Sequence, residues 1–143
     1  MRRVSFVLVP LTIASFALAA QQSSAGDQAV RKTIEEHYFK AQSTGNGEAL
    51  RGTFIEEGRM MWVQNGQLRT RTSTEYISGF RGQPPADEEK RKRRVVMTDV
   101  TGDVAVAKVE LDFPDALLTD YFTLLKIGDE WKIVHKSFHR SMK

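Results

Sequence analysis

The side chains able to do chemistry in this sequence are few, and their types bound what they can do. There are three histidines, His37, His135 and His139, with three tyrosines, two tryptophans and no cysteine. The missing thiol excludes a cysteine nucleophile, thiolate metal sites and disulfides. His135 and His139 lie four apart in a strand-like run. They share a face but sit about 13 Å apart, too far for one metal ion to join them. No metal site and no cofactor are expected. No glycine-rich loop is present to cradle a phosphate, and no Ser-His-Asp pattern stands out. What remains is an aromatic set, Tyr38, Trp62, Tyr121 and Trp131, together with His135 and His139. Rings with a few polar tips are what a small-molecule pocket needs. These six are the candidate ligand-binding residues, and no catalytic residue is assigned.

Elements must hold these groups. Val30, Ile34, His37, Tyr38 and Ala41 recur at helical spacing, so a first helix runs from an Asp27 N-cap to a stop at Gly45. Asn46 caps a short second helix through Phe54, and Ser73 caps a third from Thr74 to Phe80. Met60–Val63 and Leu68–Thr72 flank Asn65-Gly66, a strong hairpin signal. Four longer strands follow, at about Arg91–Val100, Val104–Phe113, Leu117–Ile127 and Trp131–His139, the last two joined at Gly128. Helices first and antiparallel strands afterwards predict an α+β domain, with three helices packed on one face of a curved antiparallel sheet.

Strand alternation sorts the faces. Lys132 and Lys136 mark a solvent face on the final strand, which sends Trp131, Ile133, His135, Ser137 and His139 inward. Lys108, Glu110 and Asp112 mark the outside of their strand, leaving Ala105, Ala107, Val109, Leu111 and Phe113 inside. Lys126 places Tyr121 and Thr123 inside and Asp120 outside. Ala105 and Ala107 are small and leave room above the sheet.

The run Leu117–His139, LLTDYFTLLKIGDEWKIVHKSFH, resembles the closing hairpin of the nuclear-transport-factor-2-like superfamily, cone-shaped α+β domains. Tyr38, the Gly45-Asn46 break, Ala49-Leu50, Phe54 and Val104–Val109 extend the likeness over about residues 27 to 140. Thr119-Asp120-Tyr121, Leu124-Leu125 and Trp131–Val134 carry it most strongly. Within the superfamily the chain is most similar to small bacterial proteins labelled putative lumazine-binding. The resemblance implies a pteridine-like ligand, and a homodimer through the outer sheet face, with Val104, Val106, Phe122 and Leu124 apolar there. Superfamily ketosteroid isomerases use a tyrosine where Tyr38 stands, but their aspartate base falls at Trp62, which accepts no proton.

Residues 1–19 read as an export signal: Arg2-Arg3, an apolar run from Val4 to Leu18, and Ala17-Leu18-Ala19 for cleavage after Ala19. The run is short for a membrane span and holds Pro10. No cysteine follows to take a lipid. Residues 20–26 form a flexible lead to a domain at 27–140, and the mature chain is expected in the periplasm or secreted, without membrane contact. The net charge of +3 loses Arg2 and Arg3 on cleavage, leaving 19 basic against 18 acidic residues. Nucleic acid is therefore not an expected partner. Lys90–Arg94, KRKRR, follows Asp87-Glu88-Glu89 and is expected to be a solvated strand end; the sharper alternative is a cationic rim shared with Arg69 and Arg71.

Three functions compete. The favoured one is a non-catalytic binder, in which Tyr121, Trp131 and Trp62 stack on the ligand while Tyr38 and His135 orient its polar atoms. A small enzyme using Tyr38 and His135 would need a titratable carboxylate or imidazole beside Tyr38. An interaction module would have a filled core and a large dimer face.

Overall fold

A computed structural model describes residues 25–143. The export signal expected at residues 1–19 lies outside the described residues, as does most of the flexible lead. Residues 25–44 form one helix, α1, so Asp27 lies within it rather than at its cap. Its middle, Ile34–Phe39, widens into π geometry before α geometry resumes over Lys40–Thr44. Gly45 ends it at φ 67°, and a Cβ there would fall 1.8 Å from the Gln83 carbonyl oxygen. Only glycine accepts both that backbone and that neighbour.

Asn46 caps the next segment, accepting from the Glu48 N–H, but this is a single 3-10 turn, Gly47–Leu50, not a helix to Phe54. Pairing with a distant strand wins over local preference. Phe54 aligns with Ile133, which draws the chain into strand β1 (Phe54–Gln64) well before Met60. Asn65 and Gly66, at φ 54° and 73°, turn β1 into β2 (Gln67–Thr72), as the Asn-Gly signal predicts. Helix α2 (Ser73–Ile77) starts on a capping box between Thr72 and Glu75 and stops short of Phe80. The remaining strands are β3 (Lys92–Thr101), β4 (Val104–Asp112), β5 (Ala116–Ile127) and β6 (Glu130–Met142).

The six strands form one sheet in the order β2-β1-β6-β5-β4-β3. Neighbours are antiparallel except β1 and β6, which run parallel. The α1 stripe of Val30, Ile34, Tyr38 and Ala41 is fully buried. It packs into a core with Ala105, Ala107, Val109 and Leu111 of β4, Phe122 and Leu124 of β5, and Ile133 of β6.

One irregularity decides which side chains enter the interior. Across β5 and β6, Leu124 pairs with Ile133 but Thr123 pairs with His135, so Val134 is an extra residue. A bulge of this kind reverses strand alternation beyond it. Trp131 and Ile133 point inward before it, and Lys136 after it; both expected orientations, His135 inward and Lys136 outward, are overturned. On β5, Asp120, Phe122 and Leu124 face the core, while Tyr121 is 49% exposed. That too reverses the expectation from Lys126, which has the inward parity but sits past the core at the strand end. Phe122 and Leu124 therefore leave the predicted outer patch, which instead carries Val104, Val106, Tyr121 and Leu125.

Candidate functional site

The interior holds a charged cluster. Asp120 is fully buried, and the Lys136 side chain beside it is 5% exposed, with Nζ 2.9 Å from Oδ2. The Tyr38 hydroxyl lies between them: it donates to Asp120 Oδ2 at 2.7 Å and accepts from Lys136 Nζ at 2.6 Å. Gln42, one helical turn on, donates through Nε2 to the Tyr38 hydroxyl at 2.9 Å and to the Tyr76 hydroxyl at 3.1 Å. Buried charges persist when they are paired and hydrogen-bonded, and this pair meets both conditions. Burial, and then the negative charge of Asp120, push the Tyr38 phenol well above its ordinary range, so it stays protonated. The rings of Tyr38, Phe138, Tyr76 and Phe122 surround the Lys136 ammonium, with centroids 5.0 to 5.8 Å from Nζ.

Each element has its part in this. The turn spacing of α1 brings Tyr38 and Gln42 onto one face, β5 brings Asp120, and the Val134 bulge turns Lys136 toward both. Lys136 and Gln42 also line a cavity of about 670 Å³ that opens at this end of the sheet. Its walls include Met60, Leu111, Phe113 and Leu118, with Trp62 stacked on Phe138 at 5.2 Å between ring centroids. Arg71, His139 and Arg140 stand nearer its mouth, and the Arg71 guanidinium lies 5.8 Å from the Trp62 ring centre. Within this cluster two buried acceptors, Gln42 Oε1 and Asp120 Oδ1, have no hydrogen-bond partner.

Of the six candidate residues, the structure brings Trp62 and His139 to this cavity, with Tyr38 just beneath it. The other three lie elsewhere. Trp131, 6% exposed, faces inward but borders a separate groove of about 540 Å³ between α1 and the β5–β6 turn. Tyr121 is on the outer face, under the Lys108 ammonium. His135 pairs with Thr123 and Arg59 in the sheet and does not reach the cavity. Sequence reasoning missed Gln42, Tyr76, Asp120, Lys136 and Phe138. Two signals for them were present: Asp120 shares parity with Phe122 and Leu124, and the doubled apolar step Ile133-Val134 interrupts alternation.

The basic run is largely neutralised. Arg91 pairs with Asp87 at 2.8 Å, Arg93 with Glu88 through bonds of 2.6 and 2.7 Å, and Arg94 with Glu110. The Arg93 side chain is largely covered, at 8% exposure, so this strand end is only partly solvated. Arg69 bonds Gln67 within its own hairpin; only Arg71 of that pair reaches the cavity. Among the described residues no group of three or more histidine, aspartate or glutamate side chains is placed to hold a metal.

Comparison with known proteins places this geometry. The model of a family described as "Putative lumazine-binding" matches residues 25–139. Among solved structures, an NTF2-like protein of unknown function from Silicibacter pomeroyi is similar at 21% identity. That match covers 92% of this chain and 100% of that one, with a TM-score of 0.65. Another from Shewanella baltica gives 18% identity, 92% and 98% coverage and a TM-score of 0.67. A cystatin-like fold protein from Burkholderia xenovorans gives 21% identity, 79% and 89% coverage and a TM-score of 0.60. A curated relative, the aldolase FrzH of Cladobotryum sp, is 22% identical over 102 residues, covering 71% of this chain and 82% of that protein.

Proposed function

This chain belongs to the putative lumazine-binding family and has the NTF2-like fold, and on that premise we propose that it is a small-molecule-binding domain whose ligand occupies the cavity above Lys136. The ligand is planar and pteridine-like. It stacks on the Trp62–Phe138 wall and exchanges hydrogen bonds with Lys136 and Gln42. One observation carries this reading: a buried, hydrogen-bonded polar cluster at the base of an aromatic-walled cavity open to solvent. Such a combination of apolar walls and a few convergent polar atoms suits an oriented small ligand. Export by a cleaved leader at residues 1–19 is part of the proposal. So is a homodimer through the outer face around Val104, Val106 and Tyr121, where exposed apolar surface is better covered than wet.

Trp62 supplies the test. In a Trp131→Phe variant it is the sole tryptophan, and lumazine is expected to quench its fluorescence saturably. An unchanged emission up to about 1 mM lumazine, a concentration that reports even a weak complex of roughly −4 kcal/mol, overturns the pteridine reading.

A second reading, an aldolase-type catalyst, is favoured by two observations. Asp120 supplies the carboxylate beside Tyr38 that an enzyme needs, with an amine next to it. The curated relative, moreover, is named as an aldolase.

A further inference from the structure

We propose that Lys136 is a nucleophile, forming a Schiff base with the carbonyl carbon of a small aldehyde or ketone held in the cavity. The proposal rests on the cavity being a ligand site, as inferred above, and adds a covalent step to it.

Three features of Lys136 point this way. Lys136 lines the cavity beside the Gln42 amide and the Tyr76 phenol. It is the only amine among the described lysines that is buried: Lys132 and Lys143, for instance, hold acids at the surface. Its surroundings also supply what the reaction requires. A lysine amine attacks a carbonyl only after giving up a proton, which a hydrogen-bonded base can accept. Asp120 Oδ2, 2.9 Å from Nζ, is that acceptor, and the Tyr38 hydroxyl touches both atoms.

The step balances without any outside reagent. One proton passes from the Lys136 ammonium to the Asp120 carboxylate, leaving a neutral amine and a carboxylic acid. The nitrogen lone pair forms the C–N bond as the carbonyl π pair moves onto oxygen. Asp120 returns its proton to that oxygen, giving a carbinolamine. A second nitrogen-borne proton, relayed through Asp120, and the hydroxyl leave together as water, and the C=N bond forms. The ammonium–carboxylate pair has become an iminium–carboxylate pair. Net charge is unchanged, so the same four rings and the same Asp120 that hold the ammonium hold the product. The iminium then withdraws electrons from a C–H or C–C bond at the adjacent carbon. Tyr38, held protonated by its burial, remains a hydrogen-bond donor throughout.

The test uses 6-formylpterin, a pteridine carrying an aldehyde, with the intact chain in the dark at neutral pH. Binding is read first, without reductant, as quenching of Trp62 in the Trp131→Phe background. Sodium cyanoborohydride is then added and the adduct located by peptide mass mapping. The proposal expects quenching, then one pterinylmethyl group per chain, fixed on the peptide holding Lys136 and suppressed by excess lumazine. Quenching with no adduct, or with adducts scattered over surface lysines, overturns the Schiff base and leaves the binding reading standing. Neither quenching nor an adduct overturns both.

Discussion

The proton on the Tyr38 hydroxyl is held by burial and by the carboxylate beneath it, and both effects disappear when the chain unfolds. Its folded pKa lies well above the ordinary value of 10.0 that applies in the unfolded chain. A group whose pKa is raised by folding contributes stability that is fully present below the unfolded value. That stability is lost as pH rises through the folded one. In a Tyr76→Phe, Tyr121→Phe variant, where Tyr38 is the sole tyrosine, the ultraviolet phenolate signal should therefore appear only together with loss of circular dichroism. Phenolate formation in a chain that keeps its fold would show that Tyr38 is not sequestered as described. The neighbouring ion pair obeys a different rule. Removing one partner leaves an uncompensated buried charge, whereas removing both leaves none. Lys136→Met is expected to cost about 3–5 kcal/mol in urea unfolding, and Lys136→Met with Asp120→Leu to recover most of it. Equal losses in the single and double variants would mean the pair is not the unit that matters.

At the scale of elements, the helix and hairpin positions were largely readable, because they rest on local signals. The α1 stripe, the Gly45 stop, the Asn65-Gly66 turn and the Gly128 turn are all where residue spacing puts them. The Thr72–Glu75 capping box is equally local. Thr72→Ala should cost about 1 kcal/mol, seen as a lower urea midpoint, and no change would show that α2 is held by packing alone. What local signals do not carry is pairing between strands far apart in sequence. The early start of β1 and its parallel run beside β6 both depend on such pairing. The Val134 bulge is the costliest case, since one unpaired residue reversed the inferred faces of His135 and Lys136. The aromatic part of the site was thus partly legible, through Tyr38, Trp62 and His139. Its charged part was not, because a lysine or aspartate in a strand reads as solvent-facing unless its partner is known.

At the scale of the whole molecule, the fold gathers its chemistry from distant positions: Tyr38 and Asp120 are 82 residues apart, Tyr38 and Lys136 98. Strand β6 supplies the amine, and it is inserted between β1 and β5 rather than added at an edge. It works as a keystone. Synthesis runs from the amino end, so the segments of β1–β2 and of β3–β5 are made before the strand that unites them. Until it arrives, Asp120 faces no cation and the aromatic wall lacks half of its stack. A chain lacking β6 would therefore hold neither Lys136 nor the stacked Trp62–Phe138 wall, and the cavity would lose its polar base and its aromatic side together.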